Sequence, residues 1–159
     1  MFFRTFGALA LALTLAGCAG KSAADYQKEA QTALDGGEQD KALQLADEGL
    51  KVAGDDKAVA WRLEQVRLDA IAKGAGGGAL VADLERLRAA YPAQVTPALY
   101  RSIADKLVAG DNKSGAIDVL AAGDKTFPGD ATFVTAINEL NASGVSAEEV
   151  EKLKALGYL

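Results

Sequence analysis

Beyond its first twenty residues, the chain repeats apolar positions at helical spacing, and breaks rich in Gly, Pro and Asp cut the pattern into eight runs. The clearest stretch lies between Pro97 and Pro128. Tyr100, Ile103, Ala104 and Leu107 share one face, and so do Ala116, Ile117, Leu120 and Gly123. Gly110-Asp111-Asn112 separates the two runs, and Phe127-Pro128 ends the second. The spacing predicts an antiparallel helical hairpin of about 34 residues, with weaker copies on both sides.

Earlier runs cover Asp25 to Asp35 (Tyr26, Ala30, Ala33, Leu34), Glu38 to Val52 (Ala42, Leu43, Leu45, Ala46, Leu50), Lys57 to Lys73 and Ala79 to Ala90 (Leu80, Val81, Leu84, Leu87). The third has two apolar stripes: Val59, Leu63, Val66 and Ala70, then Ala58, Trp61, Gln65, Leu68 and Ala72. Two stripes predict a helix contacted on both sides. Later runs carry Phe133, Val134, Ile137 and Leu140, then Val150, Leu153 and Leu156. Asp55 or Asp56, Thr96 ahead of Pro97, and Asp130 can each cap the helix that follows, and Ser146-Ala-Glu-Glu149 spells a capping box. Gly74-Ala-Gly-Gly-Gly78 reads as a flexible, non-helical spacer. It lacks the preceding strand and following Lys-Ser or Lys-Thr that a phosphate-cradling loop needs.

The first residues follow a different rule. Arg4 precedes a short apolar run, Phe6 to Leu15, which is short for a transmembrane span. Leu15-Ala16-Gly17-Cys18 then places small residues directly before a cysteine. This resembles the lipobox of bacterial lipoproteins. The resemblance implies a signal peptide over 1–17, cleavage after Gly17, and acylation of Cys18 by several chains, which together hold far better than one. Ala19 in place of Asp after the cysteine implies the outer membrane. Residues 18–24 would then be a lipidated cysteine and a short tether reaching roughly 20 Å, with a helical domain over 25–159.

Composition narrows the chemistry. Half of the 159 residues are apolar and few are aromatic, which suits closely packed helices. The formal net charge of -5 repels nucleic-acid phosphates, so no nucleic acid is expected as partner. There is no His and a single Cys, which excludes Ser-His and Cys-His catalysis and His-based or multi-Cys metal sites. No cofactor or metal is expected. Asp55-Asp56 and Glu148-Glu149 are paired acids, but at helix starts they are explained as caps complementing the helix dipole. Asn112-Lys-Ser114 and Asn141-Ala-Ser143 spell glycosylation acceptors that are incidental in a bacterial host.

Pro92 and Pro128 each follow an aromatic residue and lie 36 positions apart. Tyr100, Ala104, Ala116, Leu120 and Pro128 match in register the aromatic, small, small, bulky and Pro positions of the tetratricopeptide repeat, a family the chain resembles. Tyr26, Ala30, Gly37, Ala42 and Ala46 repeat the pattern, with Gly54 in place of the Pro. The second copy is irregular, and residues from Ala131 onward look like a capping hairpin. The resemblance implies an all-α, right-handed solenoid of antiparallel hairpins, about eight helices in all, since hairpins that cannot bury both faces must stack. It also implies a concave groove lined by Gln27, Gln31, Trp61, Gln65, Asp69, Arg101 and Asp105, with Trp61 either a binding hot spot or a filler beside the glycine run.

The expected function is a non-enzymatic, periplasm-facing outer-membrane lipoprotein that scaffolds a protein or peptide partner in envelope assembly. Alternatives are an accessory subunit of a cell-wall enzyme, a self-associating structural lipoprotein, and a hydrolase working through carboxylates alone, which a close, buried carboxylate pair would favour.

Overall fold

The computed structural model describes residues 20–74 and 76–159. The expected signal peptide and Cys18 lie outside the described residues. Every regular element among the described residues is an α-helix: α1 (Ala23–Asp35), α2 (Gln39–Val52), α3 (Lys57–Gly74), α4 (Gly77–Ala90), α5 (Pro97–Ala109), α6 (Lys113–Thr126), α7 (Ala131–Ala142) and α8 (Ala147–Ala155).

Most helix starts fall where the caps place them. Asp56 accepts from the Val59 amide at 3.0 Å, Thr96 from Leu99 at 3.4 Å, and Asp130 from Thr132 at 2.9 Å. Ser146 and Glu149 form a reciprocal box. The start of α1 differs from expectation. Ser22 and Asp25 make a second capping box, which draws Ala23 and Ala24 out of the expected tether and into the helix. Hydrogen bonds from the Ser22 hydroxyl and amide hold the Asp25 carboxyl below its ordinary value.

Helix α1 packs on α2 and α3, and α2 also packs on α3. Helix α3 continues to α4 and α5, α4 to α6, α5 to α6 and α7, and α6 to α7 and α8. The core divides on either side of α3. Leu63, Val66 and Ala70 join Ala30, Ala33, Leu34, Ala42 and Ala46 in one cluster. Leu68 and Ile71 join the larger cluster built by α4 to α8. The two-sided contact expected of α3 is present, with Ile71 supplying apolar surface while Ala58 and Gln65 stay exposed. In the larger cluster Tyr100 meets the edges of Phe127 and Phe133, at centroid distances of 5.9 and 6.1 Å. Phe133 lies against α6 where Gly123 has no side chain; a Cβ there would sit 2.2 Å from the ring.

The glycine run corrects its expected role as a non-helical spacer. Gly74 closes α3, and Gly77 and Gly78 open α4. Gly76 turns the chain at a φ of 84°. Gly77 faces Gly115 of α6 so closely that a Cβ would sit 2.5 Å from the Gly115 Cα. The backbone-entropy cost of a helical glycine, up to about 1 kcal/mol, is offset by this close approach of two helices.

At the C-terminus the Tyr158 hydroxyl donates to Asp124 at 2.8 Å. Burial, and then the Asp124 carboxylate, push the phenol from its ordinary 10.0 up to about 12. The folded value exceeds the unfolded one, so the stability this group contributes is complete below pH 10 and is lost as pH rises to about 12. In a phenolate absorbance titration, Tyr158→Phe should remove the absorbance that rises near pH 12. Unchanged absorbance near pH 12 in that variant would contradict the assignment.

Candidate functional site

The expected groove residues separate into those that line clefts and those that do not. Gln27 and Gln31 are partly buried on α1, and Gln31 donates to Asp35 at 2.8 Å. Gln65 is exposed. Trp61 is partly buried and packs against Tyr91 at the end of α4, with ring centroids 5.4 Å apart. Its neighbour is therefore the aromatic that closes α4, and among the described residues none of these four lines any of the five best-formed clefts.

Asp69 does. It lines a cleft of about 540 Å³ between the C-terminal ends of α3 and α5, with Lys73, Lys106, Gln39 and Asn112 around it. The Lys106 ammonium pairs with Asp69 across the helices. The Lys73 ammonium donates to the Leu34 carbonyl at 3.3 Å and so ties α3 to the end of α1, where a cation complements the negative helix terminus. Arg101 and Asp105 line a smaller cleft of about 150 Å³ between α5 and α7. The Arg101 guanidinium donates at 2.8 Å to Asp105 and at 2.8 Å to Glu139 of α7. Those two carboxylates raise the Arg101 pKa, so it stays charged. Lys106 follows the expected Asp105 in sequence, yet its partner Asp69 lies 37 residues away. The helical pattern gave each residue a face and left the pairing between helices unassigned.

Sequence reasoning also missed a charged cluster joining α2, α3 and α4. Glu64 and Asp83 are buried, at 3% and 9% exposure. Arg86 holds Glu64 through two bonds, of 2.8 and 2.6 Å, and Asp83 through a third of 3.0 Å. Arg67 reaches both Asp83 oxygens at 3.2 Å. Its Nε lies 2.6 Å from Asp47 with the N–H turned off the hydrogen-bond line, so this contact is an ion pair only. The Glu64 bonds raise the Arg86 pKa well above its usual value, against the opposing effect of burial. The detectable signal was Glu64 standing among the two apolar stripes of α3.

This cluster contains the buried carboxylates that hydrolase chemistry would use. Glycosidic cleavage places its two carboxyls across an open cleft. Glu64 and Asp83 line none of the five best-formed clefts among the described residues, and guanidinium groups occupy their oxygens. No group of three or more acidic, His or Cys side chains among the described residues is placed to hold a metal ion.

The geometry defines a protein whose regular elements are all helices among the described residues, with open clefts on and between neighbouring helices. No family model, curated protein or solved structure matches the chain.

Proposed function

We propose that the chain is a non-enzymatic bacterial lipoprotein, held in the outer membrane by acyl groups on Cys18, that scaffolds a protein or peptide partner in the periplasm. Its helices stack as a right-handed solenoid of tetratricopeptide-like hairpins. Contacts of α1 with α3, α3 with α5, and α5 with α7 support that layout, as do those of α4 with α6 and α6 with α8. Helix α4 meets α6 more extensively than its own hairpin partner α3, which makes the second unit the irregular one. No helix among the described residues is long and apolar enough to cross a membrane, and in this reading the acyl chains supply the attachment.

The observation that carries the binding role is the α3–α5 cleft, where charged and amide side chains from three helices and a turn converge on about 540 Å³. Pockets of that size accommodate a ligand or several residues of a peptide. Photo-crosslinking side chains placed at Asp69 and Arg101, in cells carrying the anchored protein, should yield a discrete crosslinked partner. The same group at Lys57, exposed at the opposite end of α3, should not. Equal crosslinking from all three positions would overturn the cleft assignment. Release of the protein from membranes by Cys18→Ser is the expected test of the anchor, and unchanged membrane retention would overturn it.

A further inference from the structure

The cleft between α5 and α7 has an apolar floor and a charged mouth. Ala104, Leu120, Ala136 and Leu140, each at most 5% exposed, make the floor with the partly buried Val108. Two alanines on facing helices leave the gap. Its volume of about 150 Å³ matches an apolar cavity that takes one benzene-sized group. It is roughly half the smallest pocket of a drug-sized ligand, about 300 Å³, so the slot suits one bulky apolar side chain.

Across the mouth lies Arg101, shared between Asp105 and Glu139. These carboxylates are 58% and 57% exposed. Ion pairs that open to water contribute little, so the guanidinium can swing aside at small cost. The mouth then presents two carboxylates against one cation and favours a positively charged neighbour of the inserted side chain.

We propose that this slot is an anchor site for a partner segment carrying a Leu-sized apolar side chain next to a Lys or Arg. The apolar side chain fills the space over Ala104 and Ala136. The basic one takes Asp105 and Glu139 in place of Arg101. This rests on the scaffold reading above and names the chemistry of its partner.

The test uses the full mature chain with isotope-labelled alanine methyls and a soluble, capped peptide, Gly-Ser-Leu-Lys-Ser-Gly. The Ala104 and Ala136 methyl signals should shift on titration. Changing the peptide's Leu to Ser, or its Lys to Glu, should weaken binding at least about tenfold. Arg101→Ala should tighten binding of the Lys peptide several-fold. Ala136→Leu fills the slot and should abolish the response. Because that variant risks misfolding, Asp105→Asn with Glu139→Gln provides a second arm. It should reduce Lys-over-Glu discrimination to below about twofold while keeping the Leu-over-Ser preference. No shift at Ala104 or Ala136 at millimolar peptide would overturn the proposal. So would shifts that ignore the Leu-to-Ser change, or concentration-dependent shifts without peptide, which would make a second copy the occupant. Peptide shifts confined to the α3–α5 cleft would remove the slot and leave the scaffold reading standing.

Discussion

Arg86→Ala is expected to destabilise the fold by about 3 kcal/mol, the low end of the range for breaking a buried ion pair. The cluster has three carboxylates, Asp47, Glu64 and Asp83, and two guanidiniums, Arg67 and Arg86. Removing Arg86 strips Glu64 of its two shortest bonds and leaves it a 3.4 Å contact with Arg67. Glu64 is 3% exposed beneath Arg86, so water entering where Arg86 stood replaces only part of what it loses. The Arg86 side chain is 43% exposed, which places the cost at the low end. Glu64→Ala should cost less than Arg86→Ala, because two carboxylates then face two guanidiniums and no charge is left in excess. Urea unfolding reports both variants as midpoint shifts with unchanged slope. Arg86→Lys should recover only part of the loss, because an ammonium cannot grip Glu64 with two parallel bonds. A neutral Arg86→Ala, or a Glu64→Ala the worse of the two, would refute this account of the cluster.

The cluster also shows where sequence reasoning stops. Features set within one helical turn were legible: the Ser146–Glu149 box, Thr96 before Pro97, and the caps at Asp56 and Asp130. The two stripes of α3 were legible as well, because a 3.6-residue period fixes which residues share a face. Glu64 was not, since its partner Arg86 lies 22 residues away on a helix whose rotation no local pattern sets. The same limit applies to the slot. Arg101 and Asp105 were named as one face, but Glu139, 38 residues on, completes the mouth. Gln27, Gln31 and Gln65 line none of the five best-formed clefts among the described residues; a family groove position gives a helix face and leaves open the width of the gap in front of it. Gly49 passed unremarked within α2, yet a Cβ there would lie 2.8 Å from the Tyr26 Cβ and 2.9 Å from the Leu63 side chain.

Two adjacent glycines should respond in opposite directions to the same added methyl group. Gly78→Ala meets nothing within 4 Å, and its φ is not in the positive region. Alanine should therefore be neutral or stabilising there, by up to about 1 kcal/mol, from helix propensity and the smaller entropy of the unfolded chain. Gly77→Ala gains the same local terms and should still destabilise, by about 1–3 kcal/mol, as overpacked sites do. Its Cβ would sit 2.5 Å from the Gly115 Cα and 2.6 Å from the Gly115 oxygen. These are backbone atoms, so no side chain can swivel to make room, and α4 must draw back from α6. That retreat opens the packing of Leu80 and Leu84, both fully buried in the larger cluster. Thermal melts of the two variants side by side decide the matter, with Gly77→Ala expected several degrees below the parent and Gly78→Ala at or above it. If the two melt alike, the run is a spacer after all, and the approach of α4 to α6 does not govern its sequence.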